Sequence, residues 1–431
     1  LRELVHEGKI SLSTINSRVR DVLEVKFELG LFDSPYVENP ERADQLVNNA
    51  EARELSLEAA RKSLVLLKNQ DELLPLDPNE LNSILVTGPM SQRTQHSVSR
   101  YGPSHIEVMS ALEGVRKEVG GQMDVEHTRG SPVIGENWPE NEVVIPEAPS
   151  SEVQEMIDKA VEKASDKDAV IAFMGETGKM VGESRSRTSL KLPYVQRQLL
   201  RALKKTGKPV ILVLINGRPL AINWADHNIP AILESWFPGK MTGKAIADVL
   251  FGNYNPGGKL PITFPKTAGQ IPLNFPYKPG SHGPQSEWQD YESQEGTRVE
   301  GVLYPFGHGL SYTTFSYANI QVSPEEIHNQ GTVQVACQVT NSGDVAAEEV
   351  VQLYLKDTYT SVTNYVKKLR GFKRVSLDPG QTKEVTFTLQ ADDLALVNEN
   401  EEWVVEPGKF KVMIGRSSQD IRLFDEFQVV R

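Results

Sequence analysis

Two glutamates and two arginines lie in one polar stretch, directly after a run of apolar residues. The apolar run covers residues 169–174, and Glu176, Glu183, Arg185 and Arg187 follow it. An uninterrupted apolar run of this length predicts a strand that is buried on both faces, as in parallel sheets. Open α/β sheets bind their ligands in loops at the carboxyl ends of such strands. The two glutamates are therefore the first candidates for acid–base chemistry.

A second interpretation of the same residues stays open on spacing alone. Glutamates and arginines in one loop commonly form a solvated ion-pair cluster with no catalytic role. Carboxylate catalysis normally uses two carboxyl groups, one kept protonated and one ionised. Glu183 is a candidate for the protonated group, with Arg185 or Arg187 restraining the loop, but no other residue of the chain stands out as its partner.

Other catalytic motifs fail on their spacing. The stretch from Gly175 to Met180 resembles a phosphate loop, but Phe173 stands where the first glycine belongs and Met180 replaces the Ser or Thr that binds magnesium. The dinucleotide fingerprint is absent, and the histidines show no metal-ligand spacing. We therefore expect no metal and no cofactor.

Length and composition narrow the class of protein. A chain of 431 residues is too long for one core and predicts two or three domains. The net charge of −12 argues against a nucleic acid or an anionic membrane as the main partner. The single cysteine, Cys337, excludes an intrachain disulfide. The chain begins with Leu and carries no signal-like segment, as expected for a processed product.

The hydrophobic pattern of residues 41–265 alternates between strand and helix, which is typical of an α/β layer fold. Apolar runs predict strands at residues 64–68, 83–87, 168–174, 209–215 and 231–236. Apolar residues at helical spacing predict helices at residues 45–62, 152–164, 193–205 and 242–251. An amphipathic helix over residues 11–30 precedes them, and its wide apolar face needs another body to pack on.

The remainder of the chain changes its pattern twice. Residues 253–310 are rich in Pro, Gly and aromatic residues, including Trp288 and Tyr291, and we predict an ordered loop that lies over another domain. After Phe315 the apolar period becomes two, with turn signals between the runs. This pattern predicts an immunoglobulin or fibronectin-like β-sandwich.

Several long motifs remain, at residues 64–69, 84–89, 216–220, 245–261, 303–315, 366–372 and 406–410. These motifs resemble glycoside hydrolase family 3, closest to its bacterial periplasmic β-glucosidase type. They occur in the family's order and span essentially the whole chain.

The resemblance implies three domains in the full enzyme: a TIM-like barrel, a three-layer α/β sandwich of the (α/β)6 type and a fibronectin type III-like β-sandwich. Residues 1–40 are then the end of a barrel and a linker, residues 41–270 the α/β sandwich, residues 271–314 a linker loop and residues 315–431 the fibronectin type III-like domain. The barrel supplies the nucleophilic Asp in this family, so the nucleophile is expected outside this chain.

The resemblance also implies roles for individual residues. Glu183, with Arg187 four residues later, matches the family's general acid/base, and Glu176 matches a supporting Glu and is the fallback acid. Trp288 and Tyr291 are expected to project toward the same pocket, where an aromatic ring stacks on the aglycone sugar. The alternative for Trp288 is simple packing beneath the long loop.

The activity implied is that of a retaining, exo-acting β-glucosidase that releases terminal non-reducing glucose from β-glucosides or oligosaccharides. The barrel domain is the implied partner, and the implied location is periplasmic or secreted. The alternatives are a β-xylosidase or other exo-β-glycosidase, and a carbohydrate-binding or scaffold module without turnover when the chain is alone. The oligomeric state stays open, with a homodimer as one alternative.

Overall fold

The computed structural model of the chain describes residues 1–37, 39–47, 49–95, 98–102, 106–136, 138–139, 148–280 and 299–431. Trp288 and Tyr291 lie outside the described residues. The described residues form two compact units, Leu1–Leu55 and Ser56–Arg431. The domain boundaries drawn from the sequence stay predictions.

The first unit is helical. It contains α1 (Arg2–His6), α2 (Leu12–Glu28), α3 (Arg42–Leu46) and the start of α4 (Ala50–Ser63). The helix predicted over residues 11–30 is α2, and the Ser11 side chain caps it by accepting from the backbone N–H of Thr14 at 3.1 Å. No residue of α2 is buried, so its apolar stripe is exposed.

A six-stranded sheet forms the centre of the second unit. Its strands are β1 (Val65–Asn69), β2 (Ser83–Thr87), β3 (Asp124–Thr128), β4 (Ala169–Gly175), β5 (Val210–Ile215) and β6 (Ala231–Glu234), in the order β1-β6-β5-β4-β2-β3. Strands β2 to β6 are parallel, and β1 runs antiparallel to β6 at one edge. The carboxyl ends of β4, β5 and β6 therefore lie side by side.

Helices cover both faces of this sheet, which is the α/β sandwich expected from the sequence. One face is covered by α4, α5 (Ala111–Val119) and α9 (Thr242–Leu250). The other face is covered by α6 (Ser151–Ser165), α7 (Tyr194–Lys205) and α8 (Asn223–Asn228). Strand β4 is buried along its whole length: Ile171 and Phe173 pack on the first face, and Val170 and Met174 on the second. Burial on two faces is why this strand is apolar at every position.

A β-sandwich follows the sheet, as the period-two pattern predicts. Its strands are β7 (Phe315–Ser323), β8 (Glu326–His328), β9 (Val333–Asn341), β10 (Ala347–Asp357), β11 (Lys368–Leu377), β12 (Thr382–Leu389), β13 (Leu396–Val397), β14 (Trp403–Val404), β15 (Gly408–Gly415) and β16 (Ile421–Val430), with a short helix α10 (Ala391–Leu394). One sheet has the order β11-β10-β15-β16-β8 and the other β12-β9-β7. Cys337 is buried between them and is a free thiol.

Charged groups join the sandwich to the α/β layer. The Lys259 ammonium lies 3.4 Å from the Glu349 carboxylate, which also accepts from the Tyr317 hydroxyl at 2.9 Å. The side chains of Lys259 and Glu349 are both buried. Because removing one partner would leave an uncompensated buried charge, loss of either residue would destabilise this junction.

Candidate active site

The candidate site lies where β4 and β5 end. Gly175, the last residue of β4, has φ +142°, and a Cβ at this position would meet the carbonyl oxygen of Ile215 at 2.0 Å. Only glycine allows this close approach of the two strand ends. The backbone N–H of Glu176 then donates to the carbonyl of Ile215 at 2.9 Å. The chain therefore enters the polar loop at a position fixed by its neighbouring strand.

Glu176 is the buried anchor of this loop. Its side chain is fully buried, and each carboxylate oxygen accepts from a different guanidinium group. Arg187 Nη1 donates to Oε1 at 2.5 Å, and Arg218 Nε donates to Oε2 at 3.2 Å. A buried carboxylate between two arginines forms strong charge-assisted hydrogen bonds.

The same two arginines also hold the loop backbone. Arg218 Nη2 donates to the carbonyl of Met180 at 2.6 Å, and Arg187 Nη2 donates to the carbonyl of Lys191 at 3.0 Å. The Arg187 guanidinium also lies 5.8 Å from the centre of the Trp138 ring. The loop is thus restrained on both sides of residue 183.

Glu183 lies at the exposed part of this loop. Its backbone N–H donates to the Tyr101 hydroxyl oxygen at 2.7 Å, and the Arg100 guanidinium donates to its carbonyl oxygen. Within the described part of the chain, no group forms a hydrogen bond or ion pair with the Glu183 carboxylate. The backbone is therefore fixed while the carboxylate stays available to a ligand.

The backbone around Glu183 requires unusual torsion angles. Gly182 has φ +96°, and a Cβ there would lie 2.8 Å from the Tyr101 hydroxyl, whereas Ser184 adopts φ +59°. Positive φ values at non-glycine residues are uncommon and are maintained by surrounding contacts. The Tyr101 contact is one of those that maintain this turn.

The structure separates the two arginines that the sequence grouped together. Arg187 binds Glu176, as a restraining role requires. Arg185 is exposed, and its guanidinium group forms no hydrogen bond or ion pair with any residue that the structure describes. Its position two residues after Glu183 leaves it free to contact a ligand.

Sequence reasoning missed Arg100, Tyr101 and Arg218 as members of this site. Arg218 lies three residues after the end of β5, so the rule that indicated Glu176 at the end of β4 also applies to it. Arg100 and Tyr101 belong to the connection after β2, more than 80 positions before Glu183. No spacing in the sequence indicates that contact.

Glu234 adds a second buried carboxyl group at the neighbouring strand end. It terminates β6, and its Oε1 accepts from the backbone N–H of Trp236 at 2.8 Å. Burial raises the pKa of Glu234 well above its ordinary value and outweighs the hydrogen bond from the Trp236 N–H, which lowers it. No group of three or more His, Cys, Asp or Glu side chains suited to a metal ion occurs among the described residues.

We expect Tyr101→Phe to weaken the support of the acid loop without unfolding the chain. The variant removes the acceptor for the Glu183 N–H but keeps the ring, and one lost hydrogen bond of this kind is worth about 0.5–1.5 kcal/mol. The measurement is the hydrogen-exchange rate of the Glu183 amide, which should increase in Tyr101→Phe. The control is Tyr359→Phe, at an exposed position of the β-sandwich, which should leave this rate unchanged. Unchanged exchange in Tyr101→Phe would contradict the role of the hydroxyl.

The fold and the loops at its carboxyl edge correspond to a known family. The sequence profile of the glycosyl hydrolase family 3 C-terminal domain matches residues 64–312, and that of a fibronectin type III-like domain matches residues 349–418. The chain therefore belongs to glycosyl hydrolase family 3, and the predicted family and fold class are confirmed.

The chain is similar to curated enzymes over nearly its whole length. It is 38% identical to a periplasmic β-glucosidase of Salmonella typhimurium and 38% identical to a β-xylosidase of Formosa agariphila, each over 97% of this chain and 56% of the relative. Among solved structures, a β-glucosidase from Listeria innocua in complex with isofagomine has a TM-score of 0.86 and 30% identity, over 100% of this chain and 57% of that chain. The chain thus spans just over half the length of these relatives.

None of the helices in the described residues is long and apolar enough to cross a bilayer.

Proposed function

We propose that this chain is part of a retaining, exo-acting β-glucosidase and that Glu183 is its general acid/base. The observation that carries the proposal is the state of Glu183: an exposed carboxylate on a loop whose backbone is bound by Arg100 and Tyr101. A general acid must reach the leaving oxygen of the substrate while the loop that carries it stays in place. The exposure of Glu183 and the two contacts to its backbone support this role.

Glu176 fits a supporting role better than the role of the acid. Its two oxygens are occupied by the guanidinium groups of Arg187 and Arg218, and it has no exposed surface. A carboxylate whose two oxygens already accept from arginines, and which is fully buried, cannot contact a glycosidic oxygen. We therefore keep Glu176 as the residue that fixes the loop.

The proposed reaction divides the two carboxyl groups between two domains. An Asp of a TIM-like barrel attacks the anomeric carbon, and Glu183 protonates the leaving oxygen as the glycosidic bond breaks. Glu183 then takes a proton from water, which displaces Asp and releases glucose with retained configuration. In a retaining enzyme the two carboxyl groups lie about 5–5.5 Å apart, so the loop must bring Glu183 to that distance from the barrel.

Sugar recognition and location are proposed from the relatives. Glucose is favoured because a β-glucosidase from Listeria innocua, solved in complex with glucose, matches 100% of this chain at a TM-score of 0.85. The Formosa agariphila relative keeps a β-xylosidase as the alternative.

The name of the Salmonella typhimurium relative supports a periplasmic or secreted location. Arg185, Trp288 and Tyr291 are proposed to contact the aglycone side of the substrate, and homodimer formation stays an alternative.

The division of labour can be tested with aryl β-glucosides and aryl β-xylosides. We expect the 431-residue chain alone to hydrolyse neither substrate, because its acid lacks a nucleophile. Together with a family 3 barrel domain it should hydrolyse the glucoside faster than the xyloside. Turnover by the chain alone would contradict the division between domains, and a faster xyloside reaction would support the alternative substrate.

A further inference from the structure

Two buried side chains, Asn216 just after β5 and Glu234 at the end of β6, each have an oxygen atom with no hydrogen-bond partner among the described residues. Glu234 is fully buried; Oε1 accepts from the N–H of Trp236, whereas Oε2 has no partner among the described residues. Asn216 is also fully buried, and its Oδ1 likewise has no partner in the described part of the chain. Strands β5 and β6 are parallel neighbours in which Leu214 pairs with Glu234, so Asn216 lies two positions beyond this pair on the same face as Glu234.

The orientation of the Asn216 amide is fixed by its other contact. Its Nδ2 donates to the carbonyl oxygen of Arg218 at 2.6 Å. If the amide were turned over, Oδ1 would face that carbonyl and two acceptors would meet. Oδ1 must therefore point away from Arg218, and it needs a donor on its other side. An ionised Glu234 offers only acceptors, whereas a protonated one offers an O–H.

We propose that Glu234 is a neutral carboxylic acid in the folded protein and that its Oε2–H donates to Oδ1 of Asn216. Asn216 then holds the carbonyl of Arg218 through Nδ2. The Arg218 side chain in turn binds the Glu176 carboxylate and the carbonyl of Met180 in the acid loop. Glu234 is thus a positioning residue that acts on the loop of Glu183 from the neighbouring strand.

The surroundings of Glu234 favour its neutral form. Burial raises the pKa of Glu234 well above its ordinary value and outweighs the hydrogen bond from the Trp236 N–H, which lowers it; the Glu176 carboxylate adds a smaller rise. The paired positions on both neighbouring strands are uncharged, with Val65 on β1 and Leu214 on β5. Lys68 of β1 is directed elsewhere and donates to the carbonyl of Asp226. Arg218, three residues after the end of β5, binds Glu176.

The protonation state is tested with Glu234→Gln in the 431-residue chain. The Gln side chain keeps the shape, donates from Nε2 to Asn216 and accepts from Trp236, so the fold should be retained. An infrared difference spectrum of wild type minus variant at pH 7 should contain the C=O band of a protonated carboxylic acid. Absence of that band would overturn the proposal.

The pH dependence of thermal unfolding is a second test of the protonation state of Glu234. Because the folded pKa is raised, the stability contributed by Glu234 is fully present below its unfolded pKa and is lost as pH rises toward the folded pKa. The Tm of Glu234→Gln minus that of wild type should therefore increase between pH 5 and pH 9, by about 2 °C or more. The surface variant Glu80→Gln is the control and should show no such rise. A flat or falling difference for Glu234→Gln would contradict a neutral Glu234.

The positioning role rests on the proposed function and needs a separate reading. In the enzyme with its barrel, Glu234→Leu should lower kcat/KM for a poor leaving group at least about tenfold, through loss of acid–base catalysis, and Glu234→Gln should restore it. Wild-type activity of Glu234→Leu on that substrate would overturn the positioning role. The two proposals can fail separately. If Glu183 is not the acid, the kinetics of Glu183→Ala will show this, whereas the infrared band and the pH dependence of unfolding still test the protonation state of Glu234.

Discussion

Glu183→Ala is expected to slow hydrolysis of β-glucosides with poor leaving groups by about 10²–10⁴-fold, because it removes the proton donor to the leaving oxygen. Aryl glucosides with activated leaving groups need little protonation, so their bond cleavage should be nearly unaffected. Added azide should raise turnover of the activated substrate, since it attacks the glycosyl-enzyme without help from a general base. The measurement is kcat and kcat/KM on both substrates in the enzyme with its barrel.

The exposed position of Glu183 makes this variant easy to interpret. Its carboxylate forms no hydrogen bond or ion pair with the residues described by the structure, so alanine should change the free energy of unfolding by less than about 0.5 kcal/mol. Arg185→Ala is the matched control in the same loop and should not produce azide rescue. Equal losses on both substrates without rescue would place the acid at another residue.

The strands of the α/β layer could be predicted because burial on two faces leaves a continuous apolar run. The predicted strand at residues 83–87 coincides with β2, and the run before Glu176 is β4. β3 was not predicted: it has the sequence Asp-Val-Glu-His-Thr and pairs with β2 at the edge of the described sheet. Its residues are exposed or only partly buried, unlike those at the start of β1 on the other edge, so β3 does not need a continuous apolar run.

Helix α5 was also not predicted, although the sequence carries a signal for it. Ser110 and Glu113 form a capping box at its start, and Gly120 ends it in the left-handed conformation. The helix has only nine residues, so its apolar period is short. The antiparallel direction of β1 could not be predicted in the same way, because an apolar run carries no information on strand direction.

Half of the candidate site could be predicted from the sequence. Glu176 and Glu183 follow a recognisable strand, and the general rule for strand ends finds them. Their contrasting environments could not be predicted, because burial of Glu176 depends on Arg218 from another loop and exposure of Glu183 depends on how the chain turns at Gly182. Contacts between loops of different strands are set by the sheet order, which the sequence pattern does not specify.

Glu176→Ala should have the opposite consequences to Glu183→Ala. It removes the carboxylate that Arg187 and Arg218 share, and the Arg187 side chain is only 3% exposed. Breaking a buried ion pair on one side costs about 3–5 kcal/mol, since the remaining charge stays poorly solvated. The urea midpoint of the 431-residue chain should fall accordingly, and amides of the loop should exchange faster.

The two variants together decide which glutamate is the acid. Glu176→Ala should slow activated and poor substrates alike, because a loosened loop misplaces Glu183 for every step, and azide should not restore turnover. Glu176→Gln, which keeps the shape but not the charge, should be destabilised less than Glu176→Ala. If Glu176→Ala instead kept its urea midpoint and regained activity with azide, Glu176 would be the acid and the buried ion pair would have to open during catalysis.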